Sequence, residues 1–399
     1  MECIVHFLPA RSGDCFVLEF DNKNCIIIDS GYATTYEHEL RPLLLRLREK
    51  GCRVILLLVT HIDQDHIEGA IRLIAENGKA DNSKIIPIDN IWFNGFFNTL
   101  FKRPEFDTRR ATNLRATTLK QRDTLLKELR MQNKGDNGLI SASQSMDFEQ
   151  LCAKNGYHLN QQFADRVVRR LGRDREAVLS SGISIGDCLI YVLGPTDKQL
   201  DKLACRLDVE MIRSFGTDYK IIKDEAFGKL LELMQVLIQS DYPICEREIA
   251  APGERLKSWI GTSSMAQMNE INRASIVIEI VYKGIKMLFC GDAESADWAD
   301  IIAPHYHLIK LSHHGTTKPN TALLAKSKGD ILLISTNGGQ NCRHPEDELL
   351  AQAILAGNRT LHHNYDINRK SLLLAMQKKY GFVAQFGERE VFLRREQVG

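Results

Sequence analysis

Leu56-Leu57-Leu58-Val59-Thr60-His61-Ile62-Asp63-Gln64-Asp65-His66 is the stretch on which the reading of this chain turns. From Val54 to Val59 nothing polar interrupts the apolar run, the pattern of a strand buried on both faces. After the polar cluster, Ile67, Ala70, Ile71 and Ile74 restore a helical period. A polar cluster between a buried strand and a helix sits at the carboxyl end of that strand, where α/β sheets place their ligands. Two imidazoles and two carboxylates, His61, Asp63, Asp65 and His66, offer donors for a pair of divalent ions. Helix capping accounts for one aspartate, but not for two histidines flanking two aspartates.

Working outward, Cys3 to Leu8 and Cys15 to Phe20 read as strands around the Pro-Ala-Arg-Ser-Gly-Asp turn. Cys25 to Ile28 reads as a third, ending at Asp29-Ser30-Gly31. A helix follows, opened by a capping box Thr34-x-x-Glu37, with Leu40, Leu43, Leu44 and Leu47 on one face and Gly51 as its stop. Towards the other end, Ser275 to Tyr282, Ile285 to Cys290, Leu308 to Leu311 and Ile331 to Ser335 read as strands. A final hairpin is expected from Phe382 to Phe386 and Val391 to Arg394, turning at Gly387-Glu388. The division is therefore a scaffold half over 1–90, a charged and mainly helical insertion over 91–271, and a second scaffold half over 272–399. The apolar stripe Leu230, Leu233, Met234, Leu237 and Ile238 in the insertion reads as helix packing. Within the insertion, Ile183 to Leu193 reads as one further scaffold strand, ending at Gly194-Pro195. Its start, Gly182-Ile183-Ser184-Ile185-Gly186, matches G-x-S-x-G, but a nucleophile elbow needs a strand before and a helix after. Here the order is reversed, so Ser184 is rejected as a nucleophile.

Three more strand ends carry chemistry. Gly291-Asp292 follows the second C-terminal strand, Ser312-His313-His314-Gly315-Thr316 the next, and Asn337 to His344-Pro345 the one after that. Successive strand ends bearing Asp, His-His and His can converge on the cluster at 61–66.

The order His-x-Asp-x-Asp-His, Gly-Asp, His-His-Gly-Thr and Asn…His-Pro resembles the metallo-β-lactamase superfamily, closest to the metallo-β-lactamase-like domain of bacterial competence (DNA-uptake) channel proteins and its soluble relatives. Ser12-Gly13-Asp14-Cys15, Ile28-Asp29-Ser30-Gly31, Leu193-Gly194-Pro195 and Asn272 with Ser275 support it. The resemblance implies an α/β fold, an αββα sandwich with a metal centre along one edge and a large helical insertion. It also implies two divalent metal ions, Zn²⁺ or Mn²⁺, as cofactors. Carried over residue by residue, it makes His61 and Asp63 ligands of the first ion and Asp65 and His66 ligands of the second. Asp292 bridges, His313 is the last imidazole ligand, and His344 is a ligand or a donor beside one. Asp65 and His314 are the catalytic candidates, His314 as donor to a developing oxyanion. Lys310 and Thr316 are expected to contact substrate, and Asp29 to orient the metal histidines from below. The superfamily's usual H-x-H-x-D-H has Asp63 in place of its second His here. The one His between His66 and Asp292 is His158, inside the insertion, and it receives no role. Oxygen ligands of this kind favour Mn²⁺ or Mg²⁺ relative to an all-imidazole Zn²⁺ site.

Composition sets the outer bounds. In 399 residues, 52 basic against 51 acidic side chains leave a formal charge of +1, with 44% hydrophobic and 26% charged residues. That excludes a fibrous or disordered chain. No apolar run is long enough to cross a bilayer, and Met1 to Val5 has no signal-peptide pattern. Ten scattered cysteines without a C-x-x-C pair suit a reducing, cytoplasmic setting. Locally, ten basic residues stand against four acidic ones from Lys102 to Lys134, and a second cluster runs Arg166, Arg169, Arg170, Arg173 and Arg175. Such runs fit a nucleic-acid partner, with Arg109, Arg110 and Arg115 as backbone contacts, or else a solvated helix face. The expectation is a metal-dependent hydrolase, a phosphodiesterase or nuclease using a metal-bound hydroxide. The alternatives are a hydrolase of small esters, lactones or phosphoesters, and a metal-poor scaffold or regulator.

Overall fold

A computed structural model describes residues 2–96, 99, 142–205, 256–263, 268–337 and 344–394. Strands β1 (Cys3–Phe7), β2 (Cys15–Phe20) and β3 (Asn24–Ser30) come first, then helix α1 (Arg41–Glu49), β4 (Arg53–Leu58), α2 (Gln64–Asn77) and β5 (Ile91–Trp92). After α3 (Ala142–Lys154) follow β6 (Ile183–Ile185), β7 (Cys188–Gly194), β8 (Val277–Tyr282), β9 (Ile285–Phe289) and β10 (His305–Lys310). The chain continues through α4 (Thr317–Lys326), β11 (Lys328–Ile334), α5 (Asp347–Leu355), β12 (Thr360–His363), α6 (Lys370–Tyr380), β13 (Val383–Phe386) and β14 (Glu390–Leu393).

Two sheets result, ordered β14-β1-β2-β3-β4-β5 and β13-β12-β11-β10-β9-β8-β7-β6. Strand alternation decides what each face meets. Phe16, Leu18, Leu56 and Leu58 point into an inter-sheet core with Ile278, Met287, Phe289 and Leu333. Val17, Ile27, Val54 and Leu57 point the other way, onto Leu43, Leu44, Leu47, Ile67, Ala70 and Ile74 of α1 and α2. On the second sheet, Leu288, Ile309, Leu332 and Leu361 face Leu323, Leu350, Ile354 and Leu373 of α4, α5 and α6. Helices, sheet, sheet, helices: the layers are those of an αββα sandwich, as expected. Among the described residues no helix is long and apolar enough to cross a membrane.

The structure differs from expectation at four places. Thr34 makes no capping box; it lies inside a short helical segment, Ala33–Thr35, continued through a π turn into α1. There the Ala33 N–H donates instead to Glu68 Oε2 at 2.8 Å, so α2 supplies the acceptor. The third strand does not stop at Ile28 but carries Asp29 within it, at a φ of 55°. Residues 183–194 form two antiparallel strands, with Gly186 at φ 56° in their turn, so Ser184 lies inside β6 and no elbow exists. Finally, β13 and β14 are not a hairpin. β13 adds parallel to β12 and β14 antiparallel to β1, on different sheets. The side chains show why: Val391 and Leu393 belong to the inter-sheet core, whereas Ala384 belongs under the outer helices. Residues 100–141 and 206–255, with the Lys102–Lys134 run and the Leu230–Ile238 stripe, lie outside the described residues.

Gly69 lets α2 lie directly on the end of β3. Its N–H donates to Gly31 O at 2.9 Å, and a Cβ there would stand 2.0 Å from the Ser30 carbonyl oxygen. We expect Gly69→Val to destabilise the fold by about 1–3 kcal/mol through overpacking, read as a lower denaturant midpoint. An unchanged midpoint would show that this contact yields freely.

Candidate metal centre

Four strand ends meet along one edge. The loop after β4 brings Thr60 to His66, the turn after β9 brings Asp292, the turn after β10 brings His313 and His314, and Ser335 directly follows β11. Gly13 permits the β1–β2 turn to close on this loop, since a Cβ there would lie 2.1 Å from the Asp65 carbonyl oxygen. His313 and His314 have φ of 48° and 53°, left-handed values unusual for non-glycine residues and concentrated at functional sites.

Hydrogen bonds select the orientation of each imidazole. Asp29 is fully buried and accepts from Thr60 N–H at 2.7 Å, from Thr60 Oγ1 at 2.8 Å and from His66 Nδ1 at 2.8 Å. Because the Thr60 hydroxyl proton goes to Asp29, Thr60 Oγ1 accepts from His61 Nδ1 at 3.0 Å. His314 Nδ1 donates to Ser335 O at 3.1 Å. In all three rings the Nδ1–H is thus spent on the protein and Nε2 is presented to the site, the arrangement that orients metal-binding histidines.

The Nε2 atoms converge on carboxylates. Asp292 Oδ2 lies 3.6 Å from His66 Nε2 and 3.3 Å from His314 Nε2. Asp65 lies 3.8 Å from His66 and 3.6 Å from His314, and Asp63 lies 3.5 Å from His61. Two overlapping groups, His61/His66/Asp292 and Asp65/His66/His314, share His66 and have ligand atoms within 4.8 Å of one another, so either can hold a cation through the one free nitrogen of that ring. A third group, Asp14/Asp29/His66, already has a cation of its own: the Lys310 ammonium is ion-paired to Asp14.

Electrostatics shows what is missing. Burial opposes charge on His66, yet Asp29, Asp292 and Asp65 outweigh it and hold its pKa well above the usual range. His314 is raised in the same way, against burial, chiefly by Asp292. For Asp292, burial is outweighed by His314 and His66, which pull it well below the usual carboxylate range, whereas burial pushes Asp65 up. Even so, His61 Nε2, His66 Nε2 and Asp63 Oδ1 are buried without a hydrogen-bond partner. Buried polar atoms are normally satisfied, and their desolvation is costly when they are not. A divalent cation coordinated by these nitrogen and oxygen atoms meets that demand, so the residues fit the group.

Other expected residues lie differently. His313 stands outside both groups; its neighbour His314 is the imidazole from this turn that joins one of them, with Asp65 and His66. The reason is local: Thr316 Oγ1 donates to His313 O and accepts from His313 Nδ1 at 2.8 Å, turning that ring aside. Burial lowers His313 to about 4 and His344 to about 3, so both stay neutral; their rings are 5.9 Å apart. Thr316 spends its hydroxyl on His313. Lys310, expected to meet substrate, is 1% exposed and locked between sheets. The second basic cluster is partly consumed inside the protein: Arg175 clasps buried Glu279 at 2.7 and 2.8 Å, and Arg169 pairs with Asp165 and Asp197. His158 is exposed. Arg109, Arg110 and Arg115 lie outside the described residues. Asp14, Thr60 and Ser335 are the participants to which the sequence reading gave no role; the Gly13-Asp14 match was the available signal.

Residues 8–130 match the family model of the metallo-beta-lactamase superfamily. That span holds strands β2 to β5 of the first sheet and the whole 60–66 loop, and the two-sheet architecture is consistent with that fold carrying an insertion. The superfamily consists mostly of metal-dependent hydrolases. No curated protein matches the chain. Among solved structures, a mutant of the beta-hydroxylase CmlA is similar over 99% of this chain, at 11% identity and a TM-score of 0.36. This chain spans 54% of that structure's length.

Cation binding here must displace the protons that carboxylates hold on His66 and His314. We therefore expect metal binding to release protons and to weaken as pH falls, seen by calorimetry in buffers of different ionisation enthalpy. Asp29→Ala should weaken binding about 10- to 100-fold, and His158→Ala should leave it unchanged. Proton-neutral, pH-independent binding would contradict this account of the site.

Proposed function

We propose that this chain is a metal-dependent hydrolase of phosphodiester bonds, with nucleic acid as its substrate. The observation that carries the reading is the donor set: Asp63, Asp65 and Asp292 stand among His61, His66 and His314, an oxygen-rich arrangement for two cations. Oxygen donors suit hard ions such as Mn²⁺ and Mg²⁺, the usual partners of phosphoryl oxygens. When bound, such ions would supply an activated water and a Lewis acid for the scissile group. The protein's part is to aim three Nε2 atoms through Asp29, Thr60 and Ser335, and to keep His313 and His344 neutral beside the cluster. The basic run from Lys102 to Lys134 would grip the backbone. The likeness of the motifs to competence-channel proteins supports the same substrate class.

A second reading, hydrolysis of a small ester, lactone or phosphoester, is favoured by one feature. A small, mostly apolar pocket walled by Ile62, Leu200, Leu203, Ile271 and Ala274 opens beside His61. Its apolar lining suits an apolar substituent better than a nucleic-acid backbone.

With Mn²⁺ or Zn²⁺ the purified protein should cleave single- or double-stranded oligonucleotides, and EDTA or Asp65→Ala should abolish the cleavage. Cleavage of a small phosphodiester with oligonucleotides untouched would transfer the assignment to the second reading. Neutralising Arg109, Arg110 and Arg115 together should weaken nucleic-acid binding and flatten its salt dependence, with metal content unchanged. Equal binding by that triple variant would return the run to a solvated face.

A further inference from the structure

We propose that Lys310 is a positioning residue for the candidate metal centre: locked to Asp14, its ammonium holds one oxygen of Asp292 and leaves Oδ2 as the single carboxylate atom offered to cations. The inference rests on the reading of residues 61–66, 292 and 314 as that centre.

The two oxygens of Asp292 have different surroundings. Oδ2 faces His66 and His314 at 3.6 and 3.3 Å, whereas Oδ1 faces Lys310 Nζ at 3.6 Å. Lys310 also donates to the carbonyl of Gly291 at 2.9 Å, fixing the peptide that leads into Asp292. Its third neighbour is Asp14, on the turn between β1 and β2. The Gly291 carbonyl and Asp14 are its close partners, and Asp292 Oδ1, at 3.6 Å, is an ion-pair contact longer than a hydrogen bond. Lys310 ends β10 of the second sheet and Asp14 lies in the turn that leads into β2 of the first, so the pair also ties the two sheets together behind the site. At 1% exposure for both side chains, neither can be relaxed by solvent.

The sign of the effect separates positioning from mere charge. A fixed positive group 3.6 Å from a ligand oxygen repels an incoming cation. If charge alone mattered, removing Lys310 would tighten metal binding. If Lys310 instead holds Asp292 in place, removing it frees the carboxylate to turn, and binding weakens despite the lost repulsion.

The test measures Mn²⁺ and Zn²⁺ affinity by competition with a chelator, alongside thermal melts. It uses the parent chain, Lys310→Met, and the double variant Asp14→Leu with Lys310→Met. The double variant guards against unfolding, because replacing a whole buried pair by apolar groups is usually tolerated where breaking it is not. We expect affinity to fall about 10- to 100-fold in both variants, the usual effect of losing a group that orients a ligand. A folded double variant that binds either metal as tightly as the parent, or more tightly, overturns the proposal and leaves the centre standing. A parent chain that binds neither metal overturns the centre and this inference with it.

Discussion

The Asp29 carboxylate is the contact on which the site depends. It is the penultimate residue of β3, at a backbone conformation few aspartates adopt, and takes hydrogen bonds from the loop after β4 and the first turn of α2. Through Thr60 it also sets His61. One buried anion thereby aims two imidazoles at a common point. Removing water from the region leaves ligand atoms with no partner in the protein, which is tolerable when a cation supplies the missing bonds.

The frame around that point is stiff for ordinary reasons. Three apolar cores hold the layers, and Gly13 and Gly69 let backbone meet backbone where a side chain would intrude. Lys310 and Asp14 add a polar tie across the sheets; breaking such a buried pair typically costs about 3–5 kcal/mol. The same tie fills with a lysine the acidic corner between Asp14 and Asp29 that would otherwise invite a further ion.

Much of this was legible in the sequence because it is local. The uninterrupted run Val54 to Val59, then His61 to His66, is a strand end followed by a helix, and the structure has β4, the polar loop and α2 there. What escaped depends on distance. Whether β14 pairs with β13 or with β1 is settled by which core Val391 and Leu393 enter, a fact held by residues nearly four hundred positions away. His313 and His314 are adjacent and chemically identical, so only the backbone turn and the Thr316 hydroxyl distinguish them. The burial of Lys310 is equally invisible locally, because its partner Asp14 lies far off in sequence. The cap expected at Thr34 gave way to a carboxylate from α2, again a tertiary substitution for a local rule.

The central claim is that His61, His66, Asp65, Asp292 and His314 gather around cations. A crystal of the Mn²⁺-loaded protein, measured at the manganese absorption edge, tests it most directly. The account predicts anomalous density within coordination distance of Nε2 of His61, His66 and His314 and of Oδ2 of Asp292. Metal-loaded crystals with no anomalous density there, and with Asp292 and His66 turned apart, would contradict it.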